Sequence, residues 1–191
     1  MQTLMNRVDV AVIGGYFAGK TAIILRFTHG CYCEVYEPPL EDCQLRTIQI
    51  GNGVDVEIDL RDTRSMLEHS DVSMYSIENC KGFLCAYSVT DTRSFADLRD
   101  FISQVKQIRQ NDNIPIVVIG NKCDLECERT VMTEEGLRFA EQHNAAFWET
   151  SAKFGINLHE AISYLAQEVV RQDTENLLGN KERKEKKCVV F

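Results

Sequence analysis

No apolar run in this 191-residue chain is long enough to cross a bilayer, and the first residues, Met1 to Arg7, lack the apolar centre of a secretory signal. Membrane spanning and secretion are therefore not expected. The eight cysteines lack metal-site spacing, since neither Cys31-x-Cys33 nor Cys123-x-x-x-Cys127 is joined by a second pair. Most of them read as reduced cytosolic cysteines in apolar or loop positions. Basic charge is also scarce: 21 Lys and Arg stand against 29 Asp and Glu, a net charge of -8, which disfavours a broad nucleic-acid-binding face. Any phosphate site must be local. Length, 44% hydrophobic and 26% charged residues fit one ordinary globular domain.

What the chain does contain is a complete phosphate-loop pattern, Gly14-Gly15-Tyr16-Phe17-Ala18-Gly19-Lys20-Thr21. A glycine-rich turn lets successive N–H groups face phosphate oxygens, and the following helix adds its positive N-terminal end. Lys20 would reach the β and γ phosphates, and Thr21 would offer its hydroxyl to Mg²⁺. Tyr16 and Phe17 are out of place here. They put two aromatic rings where the loop lies against its ligand.

Strand-length apolar runs alternate with helical periods, which predicts a parallel α/β sheet. Val8 to Gly14 is the first strand, feeding the loop and a helix from about Lys20 to Gly30. Arg46 to Ile50 and Val54 to Leu60 alternate apolar and polar residues around Gly51-Asn52-Gly53, as an antiparallel hairpin at one edge does. Phe83 to Tyr87 and Ile114 to Ile119 are almost wholly apolar, so both are buried strands, with Pro115 at the start of its strand. Phe95, Leu98, Ile102, Val105 and Ile108 form one helical stripe, and Leu158, Ala161, Ile162, Leu165 and Val169 another. Beyond Gln172 the pattern dissolves into polar and charged residues. The expectation is a domain over residues 1–172 and a flexible basic tail over 173–191.

A phosphate loop does not distinguish an ATPase, a kinase or a GTPase; the later strands do. Asn121-Lys122-Cys123-Asp124 follows the fifth strand, and the sixth ends in Glu149-Thr150-Ser151-Ala152-Lys153. Both leave carboxyl ends of strands, where open α/β folds bind ligands. With these motifs the chain resembles the Ras-like small GTPases over about residues 7 to 171 and the last four. The spacing from Asp124 to Ser151 leaves no room for the extra helix of Rho-like members, so the resemblance is to the Ras branch. It implies a three-layer P-loop NTPase fold with a six-stranded, mostly parallel sheet, one antiparallel edge strand and about five helices.

The same resemblance implies GTP or GDP with Mg²⁺ as ligands. Asp124 would accept two hydrogen bonds from guanine, a pairing adenine does not offer. Lys122 would lie along the base, Asn121 would tie its loop to the phosphate loop, and the Ala152 N–H would meet the guanine oxygen. Ser151 and Lys153 complete that motif, and Tyr32 matches the aromatic at the base's edge. Thr21 and Asp62 are the metal-side residues. Tyr36-Glu37-Pro38-Pro39-Leu40-Glu41-Asp42 looks like the effector loop, with Glu41 and Asp42 offering an acidic edge to a basic partner.

Four departures from the family pattern fall on residues that sense or break the γ-phosphate bond. Pro39 stands where the switch threonine belongs and has neither hydroxyl nor N–H to give. The second switch reads Asp62-Thr63-Arg64-Ser65-Met66, so the hinge glycine is Ser65 and the water-positioning glutamine is Met66. A thioether does not orient an attacking water, and positioning supplies almost all of this catalysis. Tyr16 replaces a glycine whose bareness admits that glutamine and a partner's arginine. No catalytic residue is therefore assigned; Arg64 remains open as an arginine finger in cis. Weak hydrolysis is expected, and so is a reduced difference between GTP and GDP states.

Cys188-Val189-Val190-Phe191 matches the C-a-a-X prenylation signal, with terminal Phe favouring geranylgeranyl. Residues 181–187 carry five basic and two acidic side chains, a net +3 that leaves -11 for the remainder. One lipid chain anchors marginally, so a basic patch worth about 1 kcal/mol per charge is the second signal needed. The expectation is a monomer on the cytoplasmic face of a membrane, the plasma membrane first. It would recruit effector proteins and answer to exchange factors, with no nucleic-acid partner. An ordinary hydrolysing switch with a non-standard catalytic arrangement is the alternative.

Overall fold

The computed structural model describes residues 6–32, 43–63, 77–111 and 113–187. Six strands form one sheet: β1 (Asn6–Gly14), β2 (Cys43–Ile50), β3 (Val54–Asp62), β4 (Gly82–Ser88), β5 (Ile116–Asn121) and β6 (Ala146–Thr150). Their order is β2-β3-β1-β4-β5-β6. β2 pairs antiparallel with β3, and every other pairing is parallel. The four long helices are α1 (Lys20–His29), α2 (Thr92–Arg109), α3 (Thr133–Gln142) and α4 (Leu158–Lys187), with a further helical stretch at residues 77–79.

The helices lie on two faces because the strands are apolar on both. Alternate residues of β1 divide the core: Val8, Val10 and Val12 meet Phe27 of α1 and Leu165 of α4, while Ala11 and Ile13 meet Leu98 and Ile102 of α2 and Phe139 of α3. β4 and β5 are buried at every position, as central parallel strands must be. Each fully buried Leu or Ile contributes about 2 kcal/mol by leaving water. Both predicted helical stripes fall on these faces, with Phe95 and Ile108 only partly buried. Pro115 precedes its strand rather than opening it.

Local chemistry fixes the helix ends. The Asp91 carboxylate accepts a hydrogen bond from the Arg93 N–H at the start of α2 (2.9 Å), and the Glu135 carboxylate accepts from the Met132 N–H at the start of α3 (2.9 Å). Gly30 ends α1 at φ 69°, its N–H bonded to the Arg26 carbonyl.

Two features were not read from the sequence. The polar residues of β3 do not all face water, because β3 lies inside the sheet. Asp59 is fully buried and accepts from Arg7 (2.6 Å) and Arg61 (3.3 Å), while Arg61 also reaches Asp9 (3.1 Å). Two arginines thus neutralise two aspartates that stand opposite each other in the β1–β3 register. The second is the length of α4, which continues to Lys187 through the residues expected to form the basic tail. Glu, Lys, Arg and Leu are good helix formers, and ion pairs of Arg171 with Glu168 and Glu175 (2.7 Å each) support the turns that carry the helix outward. Residues 188–191 lie outside the described part.

Candidate functional site

The carboxyl ends of β1, β3, β5 and β6 lie at one end of the sheet, and the predicted phosphate, metal and base residues other than Tyr32 stand on the loops that leave it. β1 ends at Gly14, which crowds β4: a Cβ at position 14 would stand 2.2 Å from the Ala86 carbonyl oxygen. A Cβ at Gly19, which has φ 86°, would meet Asn121 Nδ2 at 2.4 Å. Only bare backbone fits at either end of this loop. A Cβ at Gly15 would come within 3.0 Å of Asp97 Oδ2, so the first turns of α2 support the loop from the side.

Lys20 opens α1 and is buried, its Nζ donating to the Gly14 and Gly15 carbonyls (3.0 Å each). Burial pushes its pKa below the ordinary lysine value, and the nearby Asp62 carboxylate partly restores it. The next residue, Thr21, donates its hydroxyl to Asp62 Oδ2 at 2.5 Å. That pair brings a hydroxyl and a carboxylate oxygen together, a hard-oxygen set suited to Mg²⁺. Thr63 anchors the adjoining chain, its Oγ1 donating to the Val12 carbonyl (2.8 Å).

The other end of the site is built around Asn121, 1% exposed at the end of β5. Its Nδ2 donates to the Ala18 carbonyl (3.0 Å), joining the base-side loop to the phosphate loop as the resemblance implied. Its Oδ1 accepts from the Ala152 N–H (3.1 Å) and from Thr150 Oγ1 (3.4 Å). The Ala152 N–H that the resemblance assigned to guanine is therefore given to Asn121 here. Lys122 follows in the left-handed region at φ 66°, and Leu125 N–H bonds back to its carbonyl (2.9 Å). Asp124, half-buried on that turn, makes no hydrogen bond among the described residues. Ser151 is buried and shapes its loop through bonds to Gly155, Ile156 and Phe154. Lys153 lies over the Phe154 ring, 5.9 Å from its centroid.

Tyr16 and Phe17 are not folded into the core. Tyr16 is 51% and Phe17 83% exposed, with ring centroids 6.5 Å apart, and Phe17 holds φ 60° where glycine is at ease. Tyr32 stands two residues past the glycine that ends α1 and is 37% exposed; no hydrogen bond or ring contact joins it to Asn121, Lys122 or Asp124 among the described residues. Tyr36, Pro38, Pro39, Glu41, Asp42, Arg64, Ser65, Met66 and Cys188 lie outside the described residues.

Sequence reasoning passed over Thr150, Thr63, Ala18 as a hydrogen-bonding carbonyl, and Asp97. Thr150 adjoined a recognised motif and was within reach; a carbonyl's partner and Asp97's approach to Gly15 leave no mark in sequence.

Comparison with known proteins agrees with this geometry. The Ras family profile matches residues 9–171. A curated relative, Ras-like protein 1 of Saccharomyces cerevisiae, is 40% identical over 172 residues, covering 90% of this chain and 55% of that protein. The chain thus spans about half that relative's length. With the family profile running through the phosphate loop, Asn121 and Ala152 alike, this chain belongs to the Ras family.

Proposed function

We propose that the protein is a guanine-nucleotide-binding signalling protein that holds GTP with Mg²⁺, hydrolyses it weakly and recruits effectors from the cytoplasmic face of a membrane. Family membership supports GTP binding and a signalling role. The Thr21–Asp62 pair fits a metal ion, and Asp124, with no hydrogen bond among the described residues, suits a base that offers two donors. The nucleotide, when bound, supplies the γ-phosphate whose transfer to water is the family's chemistry. This chain's residues position it: Gly14 to Gly19 by backbone, Lys20 by charge, and Asn121 by joining the two loops.

The observation that carries weak hydrolysis is Tyr16, half-exposed on the solvent side of the phosphate loop. Any arginine or water-positioning group from outside the chain has to approach from that side. Pro39 and Met66 in the sequence add to it. Prenylation at Cys188 and the basic run at 181–187 form the proposed tether, which Cys188→Ser should release. The nucleotide extracted from freshly purified protein tests the reading directly: GTP is expected. Full occupancy by GDP, together with phosphate release in a single-turnover assay at ordinary small-GTPase rates, would establish the hydrolysing alternative. If Arg64→Ala then abolished that rate, the arginine acts in cis. ATP is expected not to compete.

A further inference from the structure

Helix α4 outruns the domain it closes. Its apolar stripe from Leu158 to Val169 is buried against the sheet, and the last ion pair joining it to the rest of the domain, among the described residues, is Lys81–Asp173 at 2.6 Å. From Thr174 to Leu178 every residue is exposed, yet two successive ones are leucine. Leu177 is 67% and Leu178 57% exposed. Single exposed leucines are ordinary on a protein surface. An adjacent pair on a helix that has left its core, one turn before a basic run, is an apolar patch without a purpose inside the domain.

The helix continues to Lys187, so residues 174–187 form an arm about 20 Å long. Leu177 and Leu178 are followed within one turn by the basic run that starts at position 181. An apolar pair next to basic charge in the sequence suits the headgroup layer of a bilayer, where leucine enters the acyl boundary and cationic groups remain with the phosphates. Charge confines the contact to the arm. Residues 181–187 carry +3 while the remainder of the chain carries -11, so an anionic surface attracts the helix end and repels the domain.

We propose that Leu177 and Leu178 seat in the headgroup layer of an anionic membrane, making the end of α4 a contact surface that engages the bilayer beside the lipid on Cys188. This rests on the membrane tether proposed above. A tether on a flexible tail leaves the domain free to tumble, whereas a helical arm with its own apolar contact restricts the angles at which the nucleotide site meets its partners.

The test uses the full chain, unprenylated and loaded with nucleotide, sedimented with vesicles of equal parts phosphatidylcholine and phosphatidylserine. The wild type sediments with these vesicles and not with phosphatidylcholine alone. Leu177→Gln/Leu178→Gln, which leaves charge and core untouched, lowers the partition coefficient roughly tenfold while nucleotide binding is unchanged. Equal binding by the double variant overturns the proposal, and so does no binding by the wild type. A wild-type dimer in solution that the double variant dissolves also overturns it, since a second copy then covers the leucines. The tether is read separately, from cell fractionation of Cys188→Ser. Release of that variant with no leucine effect on vesicles leaves the lipid anchor standing and removes the arm; retention of that variant with a leucine effect does the reverse.

Discussion

The base end and the phosphate end of the proposed nucleotide cleft are held in different ways. At the base end recognition is part of the core: Asn121 is 1% exposed and spends its amide on Ala18, Thr150 and Ala152, while buried Ser151 shapes the following loop. At the phosphate end only the flanks are so fixed, by Lys20 and by Thr21 with Asp62. Between those flanks Tyr16 and Phe17 stand in solvent. A residue bonded into the core cannot change without cost to the fold, but a side chain on the outer lip can. On the proposed function, the contrast accounts for a chain that keeps the family's guanine motifs while carrying Tyr16, Pro39 and Met66 where the resemblance expects residues that assist hydrolysis.

The largest expected effect strikes the base end. Asn121→Ala leaves the Ala18 carbonyl and Ala152 N–H without their partner, a loss of about 3 kcal/mol. Nucleotide affinity falls with it, by roughly 10²-fold on the same energy scale. Dissociation of a fluorescent GDP analogue and thermal denaturation report the two losses. If affinity falls while stability holds, Asn121 serves the ligand alone and the base end is not a core element.

The phosphate end responds in the opposite sense. Tyr16→Gly combined with Met66→Gln should raise single-turnover hydrolysis by about tenfold or more, because it restores open space and a water-orienting amide. Stability should hardly change, since Tyr16 is half-exposed. An unchanged rate would place the defect at Pro39 or Ser65 and remove Tyr16 from the account.

How much of this was legible in sequence follows from where each residue's partner lies. The phosphate loop, the strands and the stripe on α2 were readable because their signal is local: fixed spacing in the first case, period in the others. α3 was not, since its buried residues are only Gly136, Phe139 and Ala140, too narrow a stripe to stand out. The Arg7–Asp9–Asp59–Arg61 cluster was hidden for a different reason. Alternation in β3 gives the same pattern whether its polar face meets water or opposite charges, and only the neighbouring strand decides. The reach of α4 was missed because a solvated helix needs no apolar stripe. At the site, the tie from Asn121 to the phosphate loop came from the family resemblance and not from any pattern in the chain, and its partner there, the Ala18 carbonyl, came from the structure alone.

Tyr87 tests whether the base end is optimised or merely sufficient. Its ring is buried beneath Gly120, the residue before Asn121, and its hydroxyl has no hydrogen-bond partner among the described residues. A buried hydroxyl without a partner costs about 1 kcal/mol or more. Tyr87→Phe should therefore raise the melting temperature by about 2–4 °C, with nucleotide dissociation unchanged. Destabilisation instead would mean that the hydroxyl is satisfied in solution.

The smallest effect compares backbone strain at the two ends. Phe17 (φ 60°) and Lys122 (φ 66°) are both non-glycine residues in the left-handed region, one on each loop. Glycine relieves about 1 kcal/mol of steric cost there. It returns part of that gain as extra freedom of the unfolded chain, so each substitution should stabilise by a few tenths of a kcal/mol. The consequences for the ligand differ. Phe17 is 83% exposed and makes no ring contact beyond the neighbouring Tyr16 among the described residues, so Phe17→Gly should change stability and leave nucleotide dissociation alone. The family resemblance puts Lys122 along the base, so on the proposed function Lys122→Gly should speed dissociation while still gaining stability. Equal effects on dissociation would mean that Phe17 also touches the nucleotide, and the outer lip would then belong to the binding site.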